Sequence, residues 1–404
     1  MISQRIQSLQ ESKTLEAAAR ARALKAEGKD IISLTLGEPD FNTPEAIIAY
    51  MNEELKKGKG QHYAPAAGEV ELRQAIAKYY TDCHGVKAAA DEVFTANGVK
   101  MVLYYLFQTL LDPGDEVLIP SPYWVSYVDQ VKLAGGKPVI VDTYQTASGE
   151  LDAKALEEKR TEKTKILVLN SPANPDGHVL SADRLLEIGH FAKEHGLLII
   201  TDEIYNRLLY QGVSCPSLAS LDERFQAFTI TVNGVSKAYA MTGWRLGYCL
   251  APKEIIQALT KLASQGSGSP SGPAQYATIG ALTGSQASVE AMRQQFEERL
   301  KKAHALLQDL PGFVCGELPQ GAFYLFPHCQ KAAELLKYPD VDALAQAILE
   351  EAGVATVAGS AFGQPEYLRF SCATASETFA AGIERIRRFM AARRQQLEES
   401  SLEG

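Results

Sequence analysis

"KILVLNSPANPDGHVLSADRLLEIGHFAKEHGLLIITDEIY", residues 165 to 205, decides the fold. KILVL is an unbroken apolar run that stops at a polar turn, SADRLLEIGHFAKEHG has helical spacing of its apolar residues, and LLIIT is a second apolar run that stops at Asp202. Strands that read as continuous apolar runs are covered on both faces, and two of them joined through a helix lie parallel in one sheet.

The same alternation continues to either side. Upstream, VKMVLYYLFQTLL is a helix, DPGDEVLIP a turn and strand, YWVSYVDQVKLAGG a helix, KPVIVD a strand, and a charged helix lies near 153 to 160. Downstream, FTITVNGVS and RLGYCLAP are strands and KEIIQALTKLAS is a helix. The expected class is therefore α/β, with a mostly parallel central sheet covered by helices. Ahead of this region come a helix over 14–28 closing on Gly28, a short strand in DIISLTLGEPDF, and helices over 44–57 and 71–85. After SQGSGSPSGPAQ (264–275) the character changes to a long charged helix over about 286–309, GFVCGELPQGAFYLF, a helix near 341–352, GVATVAGSAFG, YLRFSCA and a final helix with a frayed tail. That is a smaller α+β domain, and the expected boundaries are 1–45 for an N-terminal segment packing with it, 46–280 for the large domain and 281–404 for the small one. With Pro270 and Pro273 inside it, the Gly/Ser-rich stretch reads either as a flexible linker or as a fixed turn bordering a cleft.

Bulk composition narrows the function classes. The chain has 404 residues, 46% hydrophobic and 22% charged, enough for a sizeable core and too apolar for disorder. A formal charge of -9 disfavours nucleic acid and anionic membrane as partners. The six cysteines are scattered without a C-x-x-C pair, and neither they nor the seven histidines have metal-ligand spacing. The N-terminus MISQRIQSLQESKT is too polar for a signal peptide and no apolar stretch reaches membrane length, so the expected location is the cytoplasm.

Ligands of open α/β sheets bind outside the carboxyl ends of the strands. Those ends carry Asn170 to Asn174, Asp202 with Tyr205, and Ser236 with Lys237 in TVNGVSKAYAMTGWRLGY. A lysine after a strand is ordinarily a solvated loop residue. The alternative is an amine whose pKa is lowered by desolvation, which makes it a nucleophile for a carbonyl. TANGVKMVLYY places Gly98 and Val99 at a helix start, where free N–H groups favour a phosphate, and Ser236 and Arg245 supply a hydroxyl and a guanidinium to complete such a cradle.

Eight stretches in order carry a resemblance: LGEPDF (36–41), HYAPAAG (62–68), DPGDEVLIPSPYWVSY (112–127), NSPANPDG (170–177), TDEIY (201–205), SKAYAMTGWRLGY (236–248), GAFYLF (321–326) and LRFSCA (368–373). The sequence resembles the class I pyridoxal-phosphate aminotransferases of fold type I, and most closely their bacterial-type aspartate aminotransferase subgroup. By that resemblance Lys237 forms the Schiff base with pyridoxal 5'-phosphate and shuttles the substrate proton, Asp202 keeps the pyridine nitrogen protonated, and Tyr205 and Asn174 bond the ring's 3-oxygen. Trp124 stacks on the ring. The amides of Val99 and Lys100 following Gly98, with Ser236 and Arg245, hold the phosphate, joined by Tyr63 from the neighbouring subunit of a homodimer. Arg369 grips the substrate α-carboxylate with help from Asn174 and the backbone of Gly37, and Lys100 meets a distal carboxylate. The resemblance also implies cis bonds before Pro122 and Pro175.

Departures bear on specificity. Asp176 replaces the threonine of NPTG, Met101 the glutamine of GGKQ, ESKTLEAAARAR the PSATLAV segment, and Gly266 and Gly268 open the SSQSTTSP region. The expected reaction moves an amino group between an L-amino acid, aspartate in the favoured reading, and 2-oxoglutarate by a ping-pong route. Alternatives on the same scaffold are an aromatic, prephenate or diaminopimelate aminotransferase or a C–S lyase. The alternative from another class is a non-catalytic regulator that uses this fold to bind an effector.

Overall fold

The structure is a computed structural model that describes residues 2–7, 9, 13–146 and 150–402. Twelve strands occur among them: β1 Ile32–Ser33, β2 Val93–Ala96, β3 Glu116–Ser121, β4 Lys137–Asp142, β5 Thr164–Asn170, β6 Leu198–Asp202, β7 Thr229–Gly234, β8 Gly247–Leu250, β9 Tyr324–Leu325, β10 Val354–Ala355, β11 Val357–Ala358 and β12 Leu368–Ser371. Seven form the central sheet in the order β2-β8-β7-β6-β5-β3-β4. Within it β8 runs antiparallel to both its neighbours and every other pair is parallel. From β3 through β5, β6 and β7 to β8 the chain steps across the sheet in one direction, with β4 and β2 at the two edges, and the registers Asn170↔Asp202 and Asp202↔Val232 bring the exits of β5, β6 and β7 together.

The apolar runs quoted above fill both faces of this sheet. Phe94, Val102, Leu106, Val117, Ile166, Ile200 and Ile230 form one core, and Leu118, Leu167, Leu185, Ile188 and Ile199 form the other. A third core centres on Phe296, Phe323, Phe370 and Ile383 of the C-terminal part, with β12 lying between β11 and β9. The N-terminal helix Lys13–Ala26 ends as the sequence indicates: Gly28 takes φ +87° and Lys29 N donates to Leu24 O at 3.0 Å, closing a Schellman-type cap. Ala21, Leu24 and Ile31 then pack on Leu349 and Ala355, and β1 pairs in parallel with β10.

Of the two readings of the Gly/Ser-rich stretch the fixed turn holds and the linker does not: after a turn in which Ser267 N donates to Tyr105 Oη at 3.0 Å, Ser271 caps a helix, Gly272–Thr283, packed against helices Glu45–Lys56 and Val70–His84, which the sequence reading lacked. Gly272 permits that packing, since a Cβ there would lie 2.0 Å from Gly60 O. The C-terminal tail is helical as far as Leu402. Cis bonds precede Pro122 and Pro172, so the expected bond at Asn174–Pro175 is corrected to Ser171–Pro172, where Asn170 Nδ2 donates to Pro172 O at 3.2 Å. No helix among the described residues is long and apolar enough to cross a membrane.

Candidate active site

The site lies where β5, β6 and β7 end. Asp202 closes β6 and is 3% exposed; its Oδ2 accepts from Tyr127 Oη at 2.7 Å and its Oδ1 from Ile204 N at 3.2 Å. Burial pushes its carboxyl up to about 6, against the pull of those two donors and of the Lys237 charge. An acid so held has lost its water and gains most from a cationic N–H facing it. Asn170, at the end of β5, donates to Asp202 O at 2.9 Å and accepts from Asn174 N at 2.9 Å, so two expected site residues share one anchor.

Lys237 sits half-buried after β7, and its Nζ donates to Gly37 O. Burial pulls its ammonium down to about 8, with Arg369 and Arg245 acting in the same direction and Glu38 and Asp202 opposing. The solvated-loop reading of this lysine is therefore set aside: at neutral pH a usable fraction of the amine is free base. Its Nζ lies 6.0 Å from the centroid of the Tyr205 ring, whose hydroxyl pairs with Tyr324 Oη at 2.9 Å in a fully buried contact.

An anion cradle adjoins this group. Gly98 precedes the helix Val99–Leu110 with φ +89°, and a Cβ there would stand 2.5 Å from Arg245 Nη2. Glycine thus lets the guanidinium close over the helix start. The N–H groups of Val99 and Lys100 donate to no protein acceptor among the described residues, as first-turn amides must unless a ligand takes them. Arg245 is set by its Nη1 bond to Thr242 O at 2.9 Å, and Ser236 is buried on the turn beyond β7.

Arg369 on β12 is 4% exposed. Its Nη1 donates to Asn174 Oδ1 and its Nη2 to Thr35 O, both at 2.9 Å, while its Nε has no partner. The guanidinium lies between the Tyr324 and Phe362 rings, 4.5 and 4.9 Å from their centroids. No carboxylate pairs with it among the described residues, so a buried cation with a spare donor awaits an anion. Lys100 Nζ stands 5.1 Å above the Trp124 ring, its pKa lowered by burial and by Arg245.

The structure thus places Gly37, Trp124, Asn174, Tyr205, Ser236, Lys237 and Arg245 in loops and turns, Gly98, Val99 and Lys100 at one helix start, Asp202 at the end of β6 and Arg369 on β12, with direct bonds from Lys237 to Gly37 and from Arg369 to Asn174. Tyr63 does not join them; it is fully exposed. Three partners were not foreseen: Tyr127, Asn170's anchoring role and Tyr324. The arrangement matches pyridoxal 5'-phosphate in its parts: free amides and a guanidinium for a phosphate, a buried acid for a ring nitrogen, an accessible amine for an aldehyde and an indole for a ring face.

The family model described as aminotransferase class I and II matches residues 29–386. The aspartate aminotransferase of Geobacillus stearothermophilus is 45% identical over 97% of this chain and 99% of its own. The asparagine–oxo-acid transaminase of Streptococcus mutans is 43% identical over 96% and 99%. The solved aspartate aminotransferase of Thermus thermophilus with maleate superposes with a TM-score of 0.90 at 39% identity, covering 96% of this chain and 99% of that one. The chain belongs to the aminotransferase class I and II family and is a pyridoxal-phosphate-dependent enzyme that moves an amino group between an L-amino acid and a 2-oxo acid.

Proposed function

We propose that the amino donor is aspartate and the acceptor 2-oxoglutarate. The observation that carries this is Lys100: its ammonium rests against Trp124 with no carboxylate partner among the described residues, so, with Arg245 assigned to the phosphate and Lys237 to the reaction, the site holds one further cation besides Arg369. Two cations suit two carboxylates, and a ping-pong enzyme must accept both of its substrates in one place. The named activities of the Geobacillus and Streptococcus relatives fit a four-carbon donor of this shape.

In this reading the amides of Val99 and Lys100, with Ser236 and Arg245, hold the cofactor phosphate. Asp202 would hold the ring nitrogen, Tyr205 and Asn174 the 3-oxygen, and Trp124 would stack on the ring. The bound cofactor supplies the electron sink that lets the Cα–H bond of the amino acid break. Arg369 orients the α-carboxylate, and Gly37 O steadies the amine of Lys237 whenever it is free. Lys237 Nζ would take the proton from Cα and hand it to the carbon that carried the aldehyde; an amine near pKa 8 can accept and release a proton at physiological pH.

The working form we infer is a cytoplasmic homodimer in which Tyr63, fully exposed on one protomer, reaches the phosphate site of its partner. Six free thiols accord with a reducing compartment. Sedimentation of the holoenzyme as a stable dimer is the expected result, and a monomer with full activity would refute the shared site. We infer the division into an N-terminal segment, a large and a small domain on the packing of Ala21, Leu24 and Ile31 against Leu349 and Ala355.

Substrate choice is tested by half-reaction, following the cofactor spectrum as each amino acid is added. Aspartate and glutamate should react at least about tenfold more efficiently than phenylalanine or alanine. Lys100→Ala should lower kcat/KM for aspartate by about 10- to 100-fold while alanine changes by less than about threefold, because one charge-assisted bond to the distal carboxylate is lost. An equal loss for both donors would place Lys100 with the phosphate instead.

A further inference from the structure

The connection between β11 and β12 meets the Trp124 loop through contacts that no reactive group requires. The residues Gly359–Phe362 form a single helical turn, followed by Gly363 at φ +80° against the Tyr123 ring. Phe362 O accepts from Tyr123 N at 3.1 Å, and the Phe362 ring is one of the two that flank the Arg369 guanidinium. Next comes Gln364, a polar side chain 7% exposed. Its Nε2 spends both hydrogens across the junction, on Ser121 Oγ at 2.8 Å and on Asp142 Oδ1 at 2.8 Å. Ser121 begins the loop that leads to Trp124, and Asp142 ends β4 and caps the turn at Tyr144 N. One amide therefore fastens the connection that leads into the strand carrying Arg369 to the loop that carries Trp124.

We propose that Gln364 is a positioning residue for substrate binding: by docking the β11–β12 connection on the Ser121–Trp124 loop it fixes the distance between the guanidinium that takes the α-carboxylate and the wall that covers the cofactor. This rests on the reading that Arg369 grips that carboxylate. The chemistry favours an amide over its isosteres. Alanine leaves Ser121 Oγ without its donor and Asp142 Oδ1 with the Tyr144 N–H alone. Glutamate removes both donors and sets a second carboxylate against Asp142 in a place with little water, which is worse than a simple deletion. Exchanging the two partners, with asparagine at 142 and glutamate at 364, restores a donor opposite an acceptor without two like charges.

The test is the affinity of holoenzyme for succinate, a dicarboxylate with no amino group to react, together with KM for aspartate and for 2-oxoglutarate and the cofactor affinity of apo-protein. Gln364→Ala should raise the succinate Kd by about 5- to 10-fold and Gln364→Glu by about 30- to 100-fold, the range that an unsatisfied buried polar group and a buried like-charge contact span. Asp142→Asn combined with Gln364→Glu should return it to within about threefold of the parent, a coupling that independent damage would not give. Both KM values should rise together while kcat and cofactor affinity stay within about twofold, because the α-carboxylate site is common to both substrates. Arg369→Ala is measured alongside. If it leaves succinate binding unchanged, the assignment of Arg369 fails. If it weakens binding while Gln364→Ala and Gln364→Glu do not, or if the exchanged pair fails to recover, the role of Gln364 is refuted and that of Arg369 stands.

Discussion

Lys237→Ala should abolish turnover, by at least about 10⁴-fold, and remove the pH-dependent visible absorption of the bound cofactor, since the same amine is both nucleophile and proton carrier. The fold should survive. In the structure the ammonium makes one hydrogen bond, to Gly37 O, and burial holds its pKa near 8 where an unfolded chain would have it near 10.4. A base whose folded pKa is depressed costs stability while it is charged, and the cost disappears as pH rises through the window from about 8 to about 10.4. At pH 7 the wild-type apo-protein carries that cost in full. Apo Lys237→Ala should then melt no lower than apo wild type at pH 7, and any advantage should shrink above pH 9, as thermal melts of both across that range will report. A variant that transaminates at near-normal rate would end the assignment of this lysine. A variant that fails to fold would show that its packing had been misread.

What could be read before any coordinates, and what could not, divides along physical lines. The parallel strands are legible because a strand covered on both faces needs nearly continuous apolar residues; KILVL and LLIIT have them, and FTITV interleaves them with Thr229 and Thr231, both buried. Asp202 and Lys237 were legible because charged residues at the exits of such strands contradict their surroundings. Strand β2 was not: four residues, VFTA, form it, and its antiparallel pairing with β8 is set by tertiary contacts that no local periodicity records. The helix Gly272–Thr283 was missed because Gly and Pro dominate its start, although a serine followed by glycine and proline is itself a helix-opening pattern once Ser271 is seen to cap it. It is buried on all sides, so it lacks the amphipathic stripe that sequence reading relies on. Tyr127 and Gln364 were illegible for another reason. Their roles depend on partners 75 and 222 residues away, Asp202 and Asp142, and a hydrogen bond between distant segments leaves no mark in spacing.

Asp202→Asn should separate function from stability in opposite directions. Turnover should fall by roughly 10²- to 10³-fold, because a neutral amide can no longer hold the ring nitrogen protonated and one preorganised charge is lost from the transition state. Apo-protein stability should rise. An aspartate whose folded pKa is raised to about 6 keeps its proton in the native state over a range where the unfolded chain has released it. Native protein then binds more protons than unfolded protein between about pH 4 and about pH 6, so increasing pH lowers stability through that window and the full cost remains above it. A shift of about two units corresponds to something on the order of 2–3 kcal/mol, which the asparagine does not incur. Asparagine also keeps the local bonds: its oxygen can accept from Ile204 N, and its amide can donate to Tyr127 Oη in place of accepting from it. The apo variant should therefore melt several degrees above apo wild type at pH 8 and close to it at pH 4. Binding of the cofactor should reverse the ranking, because the cation of the ring nitrogen relieves in wild type the same burial cost that the variant never had. An apo variant less stable than wild type at pH 8, or a gap that does not widen between pH 4 and pH 7, would mean that the acid is solvated and ionised without penalty. Its place opposite a ring nitrogen would then lose its physical basis, since a carboxylate already content in water has little to gain from the cofactor's charge.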